Sequence, residues 1–314
     1  MADDQVPVPP QAIPTAIVAE ELATTGEAAA GTAVPAGIPG RERGDRIRTA
    51  IAYVIMFTVA ALFAIPFLWS ISTSLRPNIE TVTGFSLLPH HWTTIGYHDM
   101  FHKYNFTRYT INSAVIAGTV TLSTVFLASL GGYAFARLRF PGRELLFLLV
   151  LGTLMIPDQL RLIPVFVMLT NWHLIATFKG YILINLVSAT NLFFMRQYFL
   201  TIPRDLEEAA KLDGAGYFKT YRRVMLPLAG PALAAVAILT FQGTWNSLFW
   251  PAVLLQDRSQ YTIPIALTFF RQIYQTQWPP LMAASVLAIV PILVLFVFFQ
   301  RYFVAGVASA GVKG

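Results

Sequence analysis

Apolar residues in this chain fall into long blocks separated by short polar or charged stretches. The blocks run at about 49–72, 109–135, 145–168, 179–200, 229–255 and 282–303. A helix rises about 1.5 Å per residue and a bilayer core is about 30 Å thick, so roughly 20 apolar residues suffice to cross it. The pattern therefore predicts an all-α polytopic membrane protein with six transmembrane helices. Pro66 predicts a kink in the first block. Pro157 and Pro164 interrupt the third, with Asp158, Gln159 and Arg161 between them. The second block opens on Asn112 and Ser113. It is rich in small residues such as Gly118, Ala128, Gly131 and Gly132, which let helices pack closely in lipid.

Composition agrees. Hydrophobic residues make up 55% of the chain and charged residues only 12%, against about 25% charged in an average soluble domain. The mean hydropathy is +0.58. Cysteine is absent, which excludes disulfides, thiolate catalysis and cysteine-ligated metals. A net charge of +6 raises nucleic acid as a partner. The basic residues recur beside apolar blocks and form no single patch, so they read as membrane topology, with lipid and not nucleic acid as the partner.

Six spans put both termini on one side. That side carries 15 of the basic residues and the other carries six, with Arg161 set aside inside the third block. The excess of Lys and Arg places both termini in the cytoplasm of a multi-pass cell-membrane protein. Residues 1–44 are rich in Ala, Pro, Thr and Gly with few large apolar residues, so they read as a disordered cytoplasmic tail. They have no basic start followed by an apolar core, so they do not read as a secretory signal. Residues 45–314 form the transmembrane domain.

One polar island interrupts this scheme, at 203–228. A charged segment cannot sit in hydrocarbon unpaired, so it lies at a membrane face. Pro203 is placed to start a helix, and Asp205, Glu207 and Glu208 put negative charge in its first turn, where the helix dipole favours it. Gly214 is suited to end that helix in a left-handed conformation. A second short helix fits Tyr217 to Met225, with Pro227 stopping it. Ala209, Ala210, Ala215 and the two glycines would leave a low knob able to seat in a groove, with Glu208 and Asp213 offering charge. An ordinary solvated loop is the other reading of the same residues.

The order of residues decides between them. Glu208-Ala209-Ala210, Asp213-Gly214-Ala215 and Leu226-Pro227 together resemble the EAA motif of importer-type ABC transporter permeases. Trp245-Asn246 followed by Pro251, Leu281-Met282-Ala283-Ala284, and Gln300-Arg301-Tyr302 are similar to its carbohydrate branch, the MalG-like inner-membrane permeases. The resemblance covers about residues 50–314, and the tail lies outside it. It implies a type I importer permease fold with the 203–228 loop as a cytoplasmic coupling helix that docks on an ATPase. Glu207, Glu208, Ala209, Ala210, Asp213, Gly214, Ala215, Leu226 and Pro227 would be the coupling residues. It also implies a second permease subunit, two ATPase subunits using ATP and Mg, and an extracellular substrate-binding protein. The substrate it implies is a sugar or oligosaccharide, moved by alternating access. Another polar solute, such as a polyol or glycerol phosphate, remains the alternative, and an ion-coupled secondary carrier is a more distant one.

Other chemistry is sparse. The chain has no Gly-x-x-x-x-Gly-Lys-Ser/Thr phosphate loop, so it is not expected to be an enzyme or to bind a cofactor, and ATP hydrolysis belongs to another subunit. His98 and His102 are spaced i, i+4 as metal ligands can be, with Asp99 nearby, but no clear third ligand follows. Asp158 and Arg161 are three apart, which suits either a pathway or gate position or a local ion pair. Gln242 and Asn246 share one helical face, which suits either the pathway or a helix–helix hydrogen bond.

Overall fold

The computed structural model describes residues 39–83, 86, 88–270 and 276–311, with side chains described for 46–81, 86, 88–270 and 276–299. Most of the expected 1–44 tail thus lies outside the described residues, and 39–44 belong to the first helix. The chain divides into two units, one up to Phe63 and one from Ala64 onward. Helix α1 (Pro39–Ser74) begins in the first unit, where it presents exposed apolar side chains such as Phe57 and Phe63. The helix continues through Pro66.

The second unit holds α2 (Asn78–Thr83), α3 (Ile95–His102), α4 (Phe106–Arg137), α5 (Arg143–Gly152), α6 (Leu162–Asn171), α7 (Phe178–Asn185) and α8 (Ala189–Thr201). These are followed by α9 (Asp205–Leu212), α10 (Tyr217–Leu228), α11 (Gly230–Trp245), α12 (Phe249–Leu254), α13 (Ile263–Thr268) and α14 (Trp278–Gly311). The stretch between α1 and α4 therefore carries two short helices, α2 and α3.

Three helices are long and apolar enough to cross a membrane alone: Arg46–Ser74, Phe106–Arg137 and Trp278–Phe299. Three bent helix pairs are long and apolar enough only when each pair is taken together, as a broken span or a re-entrant element. Arg143–Met155 meets Asp158–Asn171 at 97°, Phe178–Asn185 meets Ala189–Thr201 at 41°, and Tyr217–Leu228 meets Gly230–Trp245 at 76°. The described residues thus hold three such helices, or up to six spans if each pair counts as one.

The bends have local causes. Pro157 has no N–H and pushes the residue before it out of helical geometry, and Ile156 is extended (φ −91°, ψ 112°). The fourth block, expected as one helix, breaks because Ser188 is extended and caps α8, its hydroxyl accepting from Asn191 N at 3.3 Å. The fifth block does not reach 255 as one helix. α11 ends at Trp245, and α12 restarts around Pro251, which cannot continue a helical ladder from the preceding turn. The sixth starts at Trp278, four residues before the apolar block.

Helix α4 is the hub, packed along α8 and α11. Gly132 permits the α8 crossing, because a Cβ there would lie 2.6 Å from Met195 Cβ. One apolar core gathers Met100, Phe106, Tyr109, Trp245 and Phe270 where α4 begins. Another gathers Tyr133, Met195, Phe199, Tyr221 and Met225 where it ends. At the start of α4, Asn112 Nδ2 donates to Ser259 O (2.9 Å) and Tyr261 O (3.0 Å), and Ser113 Oγ accepts from Ile263 N at 2.8 Å. These bonds pin the 256–263 connection to the bundle. In that connection, hydrogen bonds from Ser259 hold the Asp257 carboxyl below the usual carboxylate range.

Candidate functional site

The polar island folds as a helix–turn–helix on the end of α4. α9 is amphipathic: Glu207 and Ala210 face inward, while Leu206, Glu208, Ala209 and Lys211 face out. Pro203 stands outside the helix, whose first residue is Asp205. Asp213 closes α9 by donating its N–H to Ala209 O at 3.1 Å. Gly214 follows in the left-handed region at φ +74°, and Ala215 N bonds back to Ala210 O at 2.9 Å. Those two bonds and the positive φ make the turn that ends the helix.

Pro227 does not stop the second helix. Helical backbone runs on to Leu228 through a π turn at Tyr221–Met225, in which Leu226 N–H donates to Tyr221 O. The ring of Pro227 would crowd a regular α turn, and the wider turn before it relieves the crowding. Tyr221 and Met225 plug this helix into the core at the end of α4. The Tyr221 hydroxyl lies 2.7 Å from Ser129 Oγ.

Beneath α9 sits an arginine that the sequence marks only as one of the basic residues flanking the spans. Arg137, the last residue of α4, donates from Nε to Phe199 O at 3.1 Å and from its guanidinium to Ile202 O. The same Nε lies 3.2 Å from Glu207 Oε1, both side chains being almost wholly buried. That oxygen takes no hydrogen bond from any described residue, so the contact is electrostatic in kind. Glu207 thus faces its own bundle and not the exposed surface, unlike Glu208. Sequence spacing does not link positions 137 and 207. The only local signal was an arginine at the C-terminus of a span.

The exposed face differs in character from the low alanine surface expected. Ala210 is buried, and the knob is built from Leu212, Tyr217 and Phe218, exposed by 90%, 64% and 67%. Lys211 Nζ sits 5.8 Å from the Tyr217 ring centre.

A second candidate region lies halfway along α4. A cavity of about 650 Å³ is lined by Asp158, Arg161, Asn185, Asn191, Thr240 and Thr244, among others. The breaks at 156–157 and 186–188 both open onto it. Non-helical backbone at membrane depth is tolerated where it lines a polar cavity. Thr124 Oγ1 donates to Asn185 O at 3.2 Å, covering a carbonyl freed by the break. Asn191 Nδ2 donates to Thr240 Oγ1 at 2.9 Å, joining α8 to α11 across the wall. Asp158 and Arg161 form an ion pair, and both also line this cavity. Gln242 and Asn246 are exposed and do not line it; Thr240, Gly243 and Thr244 do. Trp245 is core, its Nε1 donating to Ala288 O at 3.0 Å.

His98 and His102 lie side by side on α3, ring centres 4.5 Å apart. No group of three metal-capable side chains occurs among the described residues.

Comparison with known proteins points one way. The family described as "Binding-protein-dependent transport system inner membrane component" matches residues 124–309. The arabinooligosaccharides transport system permease protein AraQ of Halalkalibacterium halodurans is 37% identical over 260 residues, 82% of this chain and 93% of AraQ. The diacetylchitobiose uptake system permease protein NgcG of Streptomyces coelicolor is 32% identical over 85% of this chain and 89% of its own. The sn-glycerol-3-phosphate transport system permease protein UgpE of Yersinia pestis is 36% identical over 64% of this chain and 72% of UgpE. Among solved structures, a chain of a bacterial ABC transporter involved in import of the acidic polysaccharide alginate superposes with a TM-score of 0.73. It is 25% identical, over 83% of this chain and 98% of that one.

Proposed function

The chain belongs to the family of binding-protein-dependent transport system inner membrane components, and from that premise we propose that it is a membrane-spanning subunit of an ATP-driven importer for a sugar or oligosaccharide. A second permease subunit, two ATPase subunits and an external solute-binding protein complete the assembly. The basic-residue asymmetry supports an orientation with the 203–228 segment and both termini in the cytoplasm.

One observation carries the reading. The knob of Leu212, Tyr217 and Phe218 is apolar and exposed, yet its underside is locked to α4 through Arg137, Tyr221 and Met225. A rigidly mounted apolar knob suits a groove on a moving partner, because a push on it is delivered to α4 instead of being absorbed by a loose loop. α4 carries that displacement toward the cavity, whose wall it shares through Val120. Closure of an ATPase pair would so be turned into opening and closing of the polar cavity, the alternating-access scheme.

Asn185, Asn191, Thr240 and Thr244 supply neutral donors and acceptors suited to hydroxyl groups. A phosphorylated polyol is the second reading, favoured by Arg161 on the same wall and by the similarity to UgpE. Co-expression with the neighbouring ATPase and solute-binding protein, followed by reconstitution, tests the class. Uptake of a neutral oligosaccharide that depends on ATP and on the binding protein is expected. Uptake driven by an ion gradient without ATP would overturn it.

A further inference from the structure

We propose that the basic hollow beneath the coupling segment seats the headgroup of an anionic phospholipid, whose acyl chains lie along α5. A cavity of about 300 Å³ is lined by Arg137, Arg139, Arg143, Arg204 and Lys211, against the carboxylates Glu207 and Glu208. Two of the cations are engaged. Arg137 holds Phe199 O, Ile202 O and Glu207, and Arg143 holds Glu144 and Leu138 O. The side chains of Arg139 and Arg204 make no hydrogen bond or ion pair among the described residues, and the Lys211 ammonium touches only the Tyr217 ring. Converging like charges repel unless an anion lies between them.

The shape of the site names the anion. An adjoining hollow of about 530 Å³ shares Arg139, Arg143 and Arg204 and continues onto Phe140 and Leu145. From there α5 presents Leu145, Leu146, Leu148 and Leu149, all exposed. Cations opening onto a strip of exposed leucines complement an amphiphile: phosphate between the arginines, hydrocarbon on the leucines. An acidic segment of a soluble partner would use the cations and leave the leucines bare. A bound headgroup would tie the α4–α5 turn at Arg139 to the start of α9 at Arg204, bracing the coupling segment from the membrane side. This rests on the placement of that end of the bundle at the inner membrane face.

The test uses the full-length chain in nanodiscs of phosphatidylcholine with added phosphatidylglycerol, and native mass spectrometry counts the phosphatidylglycerol retained. The wild type is expected to keep it through mild delipidation. At about fivefold per surface cation, the Arg139→Gln, Arg204→Gln double variant should bind it roughly twentyfold more weakly, with phosphatidylcholine unaffected. Equal retention by wild type and variant overturns the proposal. Displacement of phosphatidylglycerol by millimolar inorganic phosphate makes the site a free-phosphate seat and also overturns it. So does a variant that keeps the lipid and loses the ATPase subunit in pull-down, which would make the cluster a protein contact. The coupling reading fails separately, if the wild type pulls down no ATPase in any lipid.

Discussion

Arg137 Nε and Glu207 Oε1 lie 3.2 Å apart with their side chains 3% and 10% exposed, joining the last turn of the hub helix α4 to the first turn of α9. Removing one member of a buried pair strands the other, at about 3–5 kcal/mol. The two members are not equivalent here, because Arg137 also serves Phe199 O and Ile202 O. Arg137→Met should therefore lower the detergent melting midpoint more than Glu207→Gln. The double variant Arg137→Met, Glu207→Gln should cost less than the sum of the single changes. Thermal melting of the four proteins checks this, and strict additivity would sink it.

Gly214 separates backbone geometry from space. A Cβ there meets nothing within 4 Å, so any cost of substitution comes from φ +74° alone. Gly214→Val should strain the turn by about 1–2 kcal/mol, while Gly214→Asn, which tolerates the left-handed region, should be nearly silent. We expect Val to uncouple ATP hydrolysis from uptake, or to block ATPase assembly, without stopping membrane insertion. Full coupled transport by the Val variant would remove Gly214 from the coupling device.

Leu212→Asp and Phe218→Ser change exposed side chains and should alter stability within about 0.5 kcal/mol. Their effect should fall on partner binding. ATPase co-purification should drop severalfold at an unchanged melting midpoint. If binding is kept, the knob is only a solvated surface.

Asp158 and Arg161 are 58% and 47% exposed at the side chain, so their ion pair contributes at most about 1 kcal/mol to stability. Their place on the cavity wall predicts a transport effect instead. Asp158→Asn and Arg161→Gln should each change the apparent KM for solute with little change in melting. Unchanged uptake in both would leave only the local pair.

Gly132 tests the α4–α8 crossing. Gly132→Leu would drive its side chain into Met195 and Arg196 N, and the protein should fail to reach the membrane in folded form. Gly118→Leu, on the same helix with nothing within 4 Å of the Cβ position, should be tolerated. Membrane-fraction yield and gel-filtration profile distinguish the two.

The sequence by itself determined that this chain is a helical membrane protein with several apolar spans, and that 203–228 is a patterned helix–turn–helix. Those properties are local. Hydrophobic block length, the φ demand at Gly214 and the capping of short helices act through residues close in the chain. The same logic failed at the breaks. A continuous apolar block at 179–200 carries no sign that Ser188 will cap a new helix, because the carbonyls it frees are covered by Thr124, more than 60 residues away. Only the tertiary structure decided that Glu207 turns inward to Arg137, that Leu212, Tyr217 and Phe218 form the exposed knob, and that Thr240 and Thr244, not Gln242 and Asn246, line the cavity. In each case burial is set by which helix packs alongside, and a shift of one or two residues around a helix moves a side chain from wall to surface. The pattern of a single strand of sequence contains the helix but not its neighbour.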